Sequence, residues 1–449
     1  MRLSEVAPVL GGRLVGEDAD FTSVGTDTRQ NLRGALYVAL RGARFDGHDF
    51  VSQAQAAGAV AALVSRPQAV DLPQLQVDDT RLALGRLARH WRRQRFQGRL
   101  IGVTGSNGKT TVKEMIAAAL GGPPAVLKTG GNLNNDIGVP LTLLRLTPAQ
   151  RWAVVEMGAN HPGEIAYAAG LAEPEIGVIT QAAPAHLAGF GSLEGVARAK
   201  GELVAALPPE GTAVLNADDP FFDHWRCQSR ARRILSFGFG DADVRAVEVA
   251  PLAFSDGRFH NRFEVEALGQ RFSLDLALAG RHNVANALAA VAAALAAGGD
   301  LQTIRAGLEG LRPVPGRLRP LPAQGGAWLL DDCYNANPAS FAAGLDTLSA
   351  LGGEPWVILG AFGELGPESA RWHRQAGALA RRHRVAYLLA VGEDAKAAVA
   401  SFGGGGQWFS SREALIRAAR KHLHGGARIL VKGSRSQGLE HVVRALEAA

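Results

Sequence analysis

Apolar residues recur through the middle of the chain in short runs that alternate with stretches of helical periodicity. Five such runs predict strands, at residues 100–103, 153–157, 176–180, 213–216 and 233–237. Because strands that alternate with helices pair in parallel, this pattern predicts a parallel sheet with helices on both faces. From about residue 243 to residue 278 the period shifts toward two, which predicts antiparallel hairpins, and an Ala-rich helix is expected at 283–297.

The flanking segments repeat this alternation. Near the N-terminus, apolar runs predict strands at 36–40, 59–64 and 75–77, and an amphipathic helix is expected at 80–95. Beyond the helix-breaking segment RPVPG at residues 312–316, apolar runs and helical stretches alternate again. The strands predicted for this last part are 327–331, 356–360, 386–391 and 428–431.

Chain length and the position of the helix-breaking segment predict three domains. A chain of 449 residues exceeds what one hydrophobic core usually organises. The expected fold class is α/β, with a small N-terminal α/β domain at residues 1–80 and a central domain at 81–312. The central sheet is expected to be mainly parallel with added antiparallel hairpins, and residues 313–449 to form a C-terminal Rossmann-like domain.

Composition narrows the classes of function. With 47% hydrophobic and 20% charged residues, the chain is typical of a globular protein. Its formal charge of +6 is small and dispersed, so no nucleic-acid partner is expected. No apolar run approaches the roughly 20 residues of a membrane span, and the residues after Met1 lack the pattern of a secretion signal. We therefore expect no membrane insertion. Cys227 and Cys333 form no metal-binding spacing, and a reduced, cytoplasmic setting is expected.

The sequence VTGSNGKTT at residues 103–111 lies between a predicted strand and a predicted helix. Glycines allow backbone N–H groups to turn around phosphate oxygens, and a helix N-terminus adds a favourable dipole. Lys109 is expected to reach the β- and γ-phosphates of a nucleotide, and the Thr110 hydroxyl to bind Mg²⁺. The strict pattern requires a glycine where Val103 stands, so Gly105 is expected to serve the turn instead. The central domain is therefore predicted to be a P-loop ATPase domain.

Three further polar residues follow predicted strands or lie on predicted helices. Glu156 ends one strand and His186 follows the next, at the edge of a parallel sheet where such folds bind ligands. Lys200 lies on a helix expected at 192–207. Of 48 basic residues only 7 are Lys, so a lysine in a candidate motif raises the question of whether an ammonium group is required; Lys109, Lys200 and Lys432 are such lysines.

Taken together, these features resemble the Mur ligase family. The resemblance is carried by TGSNGKTTVKEM at 104–115, TGGNLNNDIGVP at 129–140 and DDCYNANP at 331–338, with TDTR at 26–29 and FDGH at 45–48. It implies a UDP-sugar domain, a central ATPase and a domain for an incoming amino compound. The implied activity is ATP-dependent addition of D-alanyl-D-alanine to a UDP-linked muramoyl tripeptide through an acyl phosphate, in peptidoglycan synthesis. ATP, Mg²⁺ and small-molecule substrates are therefore expected, and the protein is expected to be a monomer.

The resemblance also assigns roles around the nucleotide. It implies two Mg²⁺ ions held by Thr110, Glu156, His186 and a Lys200 that is carbamylated by CO₂. The expected catalytic set is Lys109, Glu156, His186 and Lys200. The amides of Asn283 and Asn286 match an adenine-binding segment. The implied nucleotide-binding residues are Gly105, Asn107, Gly108, Lys109, Thr110, Thr111, Asn283, Asn286, Arg317 and Asp332.

Roles toward the other substrates follow from the same resemblance. The uridine end is expected to face Thr28, Arg29, Asp46 and His48, and the muramoyl peptide to face Asn132, Asn134 and Asn135. The C-terminal residues implied to bind the incoming dipeptide are Tyr334, Asn335, Asn337, Glu364, Lys432, Ser434 and Arg435. Because Asn and Asp also favour turns, a structural role for the residues of the first two groups stays open.

One segment departs from the family pattern. The usual DMLELG run of the third domain here reads GAFGELG at 360–366, so an expected acidic residue is replaced by Ala361 while Glu364 remains. A sibling ligase that adds the third residue, or a folylpolyglutamate-type ligase, would share the ATP chemistry; the DNPR signature of the third-residue member is absent. A non-ligase P-loop ATPase and a non-catalytic homologue are the remaining alternatives.

Overall fold

The computed structural model describes residues 1–184 and 187–448. Within these residues the strands form three sheets, of five, ten and six strands. All three sheets are mixed, with mainly parallel pairing. The predicted α/β fold class is confirmed.

The N-terminal sheet is small and has one antiparallel edge. Its elements are α1 (Leu3–Leu10), β1 (Arg13–Val15), β2 (Ser23–Gly25), β3 (Ala35–Val38), α2 (Val51–Ala56), β4 (Ala61–Val64) and β5 (Gln74–Gln76). The strands pair in the order β1-β5-β4-β3-β2, and only β1 runs antiparallel to its neighbour. All residues of β3 and β4 are buried, as expected for parallel strands covered on both faces.

A long helix connects this sheet to the central one. α3 (Thr80–Arg95) begins where the Asp79 carboxylate accepts hydrogen bonds from the N–H groups of Arg81 and Leu82. Its apolar face belongs to one hydrophobic core that contains Leu36 of the N-terminal sheet and Val155 of the central sheet. The two sheets are therefore packed against each other through α3.

The central sheet carries a parallel segment and an antiparallel extension. Its strands are β6 (Arg99–Thr104), β7 (Val126–Lys128), β8 (Trp152–Glu156), β9 (Ile176–Ile179), β10 (Thr212–Asn216), β11 (Arg233–Gly238), β12 (Val244–Val247), β13 (Ala253–Ser255), β14 (Arg258–Ala267) and β15 (Gln270–Leu276). Its helices are α4 (Lys109–Ala119), α5 (Gly138–Leu143), α6 (Glu164–Ala172), α7 (Leu187–Phe190), α8 (Leu193–Ala205), α9 (Phe222–Gln228), α10 (Arg281–Ala296) and α11 (Leu301–Gly310). The order β13-β14-β12-β11-β10-β9-β6-β8-β7, with β15 beside β14, places β6 between β8 and β9.

The C-terminal sheet is parallel except at one edge. Its strands are β16 (Arg319–Pro322), β17 (Trp328–Asp332), β18 (Glu354–Gly360), β19 (Tyr387–Val391), β20 (Gly406–Phe409) and β21 (Ala427–Lys432), and its helices are α12 (Pro338–Ala350), α13 (Ser369–Arg382), α14 (Lys396–Phe402), α15 (Arg412–His422) and α16 (Glu440–Leu446). The order is β16-β17-β21-β18-β19-β20. The sheet joins the central one through aromatic contacts, since the rings of Phe254 and Trp328 meet edge to face at 4.9 Å.

Each strand that the hydrophobic pattern predicts is present, with ends that differ from the observed ends by at most two residues, and α3 has its predicted bounds. Five observed strands were not predicted: β1, β2, β7, β16 and β20. The antiparallel extension β12 to β15 occupies the segment in which the period shifts toward two. The domain boundaries near residues 80 and 312 stay predictions. None of the helices that the structure describes is long and apolar enough to cross a membrane.

The cap of α8 gives a stability prediction. The Ser192 hydroxyl accepts a hydrogen bond from the Gly195 N–H at 3.1 Å, which satisfies one free donor at the start of this helix. Ser192→Ala should lower the stability of α8 by about 1 kcal/mol, whereas Ser192→Asp should retain the cap. Hydrogen exchange of the α8 amides measures the effect. Equal protection in the alanine and aspartate variants would contradict this assignment.

Candidate active site

The loop between β6 and α4 requires glycine at two positions. Gly105 has φ +145°, and a Cβ there would lie 1.9 Å from Thr180 Oγ1. Gly108 has φ +83°, and its Cβ would lie 2.5 Å from Asn286 Oδ1. Only glycine fits these conformations and spaces. The loop is further held by Ser106, whose N–H donates to the Gln181 carbonyl at 2.9 Å.

Lys109 is the first residue of α4, and its ammonium group turns back over the loop. Nζ donates to the carbonyls of Gly105 at 2.7 Å and Ser106 at 3.3 Å. Burial lowers the pKa of Lys109, and Arg317 adds to this effect while Glu156 opposes it. A cation at a helix N-terminus, with a second cation from the C-terminal part nearby, suits a polyanionic ligand.

Glu156 ends β8 beside this loop and is 2% exposed. Its Oε1 accepts from Asn134 Nδ2 at 2.8 Å and from Thr110 Oγ1 at 3.3 Å. Its Oε2 is buried without a hydrogen-bond partner. Because a buried carboxylate oxygen is costly unless it is paired, this atom and the Thr110 hydroxyl fit a divalent cation that prefers oxygen ligands.

The resemblance implies two further metal ligands, Lys200 and His186. Lys200 lies on α8 and is 2% exposed, with Nζ 5.3 Å from the centre of the Phe190 ring. Burial, and secondly the charge of Lys109, lower the pKa of Lys200 to about 7. The lowered pKa favours the neutral amine at Lys200 more than at an exposed lysine. His186 lies outside the described residues, within which no three His, Cys, Asp or Glu side chains cluster for a metal.

A cleft of about 510 Å³ lies between the central and C-terminal sheets. Most of the predicted nucleotide and peptide residues line it: Asn107, Gly108, Lys109, Thr110, Asn132, Asn134, Asn135, Glu156, Arg317, Tyr334, Asn335, Asn337, Glu364, Ser434 and Arg435. The two walls touch where Asn337 Nδ2 donates to Asn107 Oδ1 at 2.8 Å. Asn337 also caps α12 by accepting from the Ser340 N–H, so the loop of one wall is fixed to a helix start of the other.

Several predicted nucleotide residues lie behind the cleft wall. Asn283 Nδ2 donates to the Ala279 carbonyl at 2.7 Å, and its Oδ1 accepts from Asn286 Nδ2 at 3.0 Å. The Asn286 amide packs against Gly108. Thr111 is buried in α4, and Gly105 is enclosed by Thr180 as described above. These residues support the loop from behind in the structure.

Two predicted C-terminal residues pair with each other. Lys432 Nζ contacts Asp332 Oδ2 at 2.5 Å and donates to the Asn335 carbonyl at 3.2 Å, with both charged groups buried. Ser434 Oγ donates to the Ala361 carbonyl at 2.8 Å. Neither Asp332 nor Lys432 lines the cleft. Residues that follow them in the chain, Asn335 and Ser434, do line it.

The replacement at Ala361 falls outside the cleft. Its methyl group faces Gly392, where an added Cβ would lie 2.9 Å away, and it is 7% exposed. The cleft wall is formed instead by the next residues, among them Glu364, which has φ +60°. On the same side, the Arg317 guanidinium lies 4.4 Å from the centre of the Tyr334 ring. Ala361 therefore contributes no side chain to the lining of the cleft.

The four predicted uridine residues lie in the N-terminal part, away from this cleft. Arg29 donates to both carboxylate oxygens of Asp27, at 2.8 and 2.7 Å, and Thr28 lies between them in sequence. His48 is 3% exposed and donates through Nδ1 to Asp46 at 2.6 Å, while its Nε2 accepts from the Ser65 N–H at 2.8 Å. Hydrogen bonds from His48 hold the pKa of Asp46 at about 2. Their role toward uridine stays a prediction.

Comparison with known proteins decides the family. A protein of Escherichia coli (strain K12) named "UDP-N-acetylmuramoyl-tripeptide--D-alanyl-D-alanine ligase" is 44% identical over 456 residues, covering 99% of this chain and 98% of the relative. The chain belongs to the Mur ligase family. Three models of this family match consecutive parts of the chain. They are the Mur ligase family catalytic domain at 20–92, the Mur ligase middle domain at 103–294 and the Mur ligase glutamate ligase domain at 316–435.

Solved Mur ligase structures resemble this fold. MurF of Acinetobacter baumannii superposes with a TM-score of 0.90 at 36% identity, covering 98% of this chain and 97% of that chain. MurF of Thermotoga maritima, solved in complex with ADP, gives a TM-score of 0.83 at 27% identity, covering 94% of this chain and 96% of that chain. The similarity therefore spans all three sheets of this Mur ligase.

Some residues of the cleft were missed by sequence analysis. They are Ser106, Asn160, Glu164, Ser340 and Ser436. Asn160 and Glu164 follow β8, so the rule that ligands bind beyond the carboxyl ends of parallel strands could have found them. Ser340 and Ser436 lie far along the chain and reach the cleft only through the packing of the C-terminal sheet.

The lowered pKa of Lys200 predicts how stability depends on pH. The folded protein releases this proton near pH 7, whereas the ordinary pKa of the unfolded lysine is 10.5. Between these values only the unfolded chain holds the proton, so the contribution of Lys200 to stability rises with pH across that window. In CO₂-free buffer, ¹³C NMR of the lysine ε-carbons should show one group titrating near pH 7 that is absent in Lys200→Arg. Titration only near 10.5 would contradict the assignment.

Proposed function

We propose that this Mur ligase is an ATP-dependent ligase that joins D-alanyl-D-alanine to UDP-N-acetylmuramoyl-tripeptide in peptidoglycan precursor synthesis. The observation that carries the proposal is the cleft in which the phosphate-binding loop faces the C-terminal loops around Asn337 and Ser434. The full-length similarity to relatives named for this reaction supports it. The ADP bound to the Thermotoga maritima protein supports the use of ATP. We propose a cytoplasmic monomer.

On the nucleotide side, the loop at 105–110 binds the phosphates. Lys109 balances charge on the β- and γ-phosphates, and Arg317 from the opposite wall adds a second cation. Asn283 and Asn286, with Gly105, Asn107 and Thr111, are proposed to form the adenine and loop contacts. Asp332 is proposed to reach the ribose when the domains close. Because Asp332 is paired with Lys432 of the neighbouring strand, its side chain would also have to turn away from that lysine.

Magnesium fits the oxygen-rich corner of the cleft. Thr110 and Glu156, with His186 and a carbamylated Lys200, are proposed to hold two Mg²⁺ ions. When bound, these ions neutralise phosphate charge. The buried, partly neutral Lys200 amine is suited to attack CO₂, with loss of one proton, and the resulting carbamate is an anion that an arginine could not provide.

The acid and amine substrates are assigned to opposite walls. Asn132, Asn134 and Asn135 are proposed to orient the tripeptide carboxylate for attack on the γ-phosphate, which yields an acyl phosphate and ADP. Thr28, Arg29, Asp46 and His48 are proposed to hold the uridine end. The amine of D-alanyl-D-alanine then attacks the acyl carbon and phosphate leaves; its proposed contacts are Tyr334, Asn335, Asn337, Glu364, Lys432, Ser434 and Arg435.

An acceptor-dependence assay tests the proposal. Purified protein is incubated with ATP, Mg²⁺ and UDP-N-acetylmuramoyl-tripeptide, and phosphate release is measured with and without D-alanyl-D-alanine. We expect release that depends on the dipeptide and a product heavier by that dipeptide. Release with another amine only would identify a sibling ligase, and ATP hydrolysis without any ligation would identify a different P-loop ATPase.

Lys109→Ala should abolish turnover because the phosphate charges lose their closest protein cation. The expected loss in kcat is about 100- to 1000-fold or more, with an unchanged thermal unfolding midpoint. Lys396→Ala is the matched control, since this exposed lysine contacts Glu393 and the Trp408 ring and does not line the cleft. Near-normal turnover of Lys109→Ala would contradict the proposed phosphate contact.

A further inference from the structure

Lys113 is a buried cation that has no assigned role in the proposed reaction. It lies one helical turn after Lys109 in α4 and is 1% exposed. Nζ donates to the Thr129 carbonyl at 2.9 Å and lies 3.1 Å from Glu114 Oε1 and 3.8 Å from Glu156 Oε2. One ammonium group thus contacts the start of a substrate loop and two carboxylates.

These contacts meet at the junction between the nucleotide side and the acid-substrate side of the cleft. The Glu156 N–H donates to Thr129 Oγ1 at 2.9 Å, while the Thr129 carbonyl accepts from Lys113. Asn134, in the loop that follows Thr129, donates to Glu156 Oε1. Lys113, Thr129 and Glu156 therefore fix the loop at 129–135 to the strand end that faces the phosphate-binding loop.

The charge of Lys113 decides whether this junction is stable. Glu114 and Glu156 approach the same ammonium group from two sides, and Glu156 is buried. Without the cation, the Oε2 atom of Glu156 would lose its nearest described positive charge, and uncompensated buried charge is strongly unfavourable. The strand end and the loop would then move apart, which changes the relative position of the groups proposed to bind ATP and the acid substrate.

We propose that Lys113 is a positioning residue for the ligation reaction, which sets the loop at 129–135 against Glu156 so that the tripeptide carboxylate meets the nucleotide. This inference rests on the proposed function for the identity of the acid substrate. It assigns Lys113 no contact with any substrate, so its effect is expected in the binding of one substrate and in kcat, through Asn134 and Glu156.

Lys113→Met removes the charge and keeps an unbranched side chain. Because small displacements of reacting groups cost large factors in rate, kcat should fall on the order of 100-fold. KM for UDP-N-acetylmuramoyl-tripeptide should rise, whereas KM for D-alanyl-D-alanine should stay within about twofold because its proposed contacts lie on the other wall. Calorimetric titration of UDP-N-acetylmuramoyl-tripeptide in the absence of ATP should show weaker binding than in the wild-type protein.

Lys128→Met is the matched control. Lys128 pairs with the same Glu114 but is 37% exposed, and no contact to Glu156 or Thr129 is described for it. This variant should keep all three kinetic constants within about twofold. If Lys113→Met instead keeps wild-type KM and affinity for UDP-N-acetylmuramoyl-tripeptide and loses only thermal stability or folded fraction, Lys113 is merely structural and the inference is overturned.

A second variant keeps the test decisive if Lys113→Met does not fold. Thr129→Val removes the hydroxyl that accepts the Glu156 N–H and preserves the shape of the side chain. It should weaken binding of UDP-N-acetylmuramoyl-tripeptide at least about fivefold, and wild-type affinity would overturn the inference. Failure of the proposed function is distinguishable, because it appears in the wild-type protein as absent D-alanyl-D-alanine ligation, whereas the calorimetric comparison needs no ligation.

Discussion

The buried carboxylate of Glu156 constrains the positions of the segments that surround it at the cleft. It ends β8 in the parallel part of the central sheet, at the edge where the carboxyl ends of such strands bind ligands. A buried carboxylate requires compensation, and the protein supplies an amide from Asn134, a hydroxyl from Thr110 and an ammonium from Lys113. Asn134 comes from the loop after β7, whereas Thr110 and Lys113 both lie on α4. Compensation of this one charge therefore brings three segments together: the end of β8, the loop at 129–135 and α4.

Each of the two walls of the cleft carries a cation that faces the space between them. The cations Lys109 and Arg317 face one another across the cleft, and like charges in a partly dry space are unfavourable without an anion between them. Among the described residues, Asn107 and Asn337 join the two walls at the cleft. Other contacts are the Phe254 and Trp328 rings and an apolar core in which Phe259 packs with residues of the C-terminal sheet.

Sequence reasoning was most successful where function depends on local order along the chain. The glycines at 105 and 108 and the start of α4 follow from a short motif, and Glu156 follows from the rule for strand ends. Pairing between distant residues was not predictable in this way: Asp332 and Lys432 are 100 residues apart, and nothing in either segment indicates that they neutralise each other. The placement of Ala361 against Gly392, outside the cleft, likewise depends on the packing of β18 beside β19.

In this arginine-rich chain, three lysines occupy buried positions where the shape and acidity of an ammonium group differ from those of a guanidinium. Lys113, Lys200 and Lys432 are each at most 2% exposed. A guanidinium presents five donors in a planar fork and cannot lose its proton in a protein. At Lys113 and Lys432 such a fork would leave donors unpaired in the interior, and at Lys200 it would exclude a neutral amine. The buried lysines therefore fit positions that favour a compact cation or one that can be deprotonated, whereas Lys128 and Lys396 are exposed and follow no such rule.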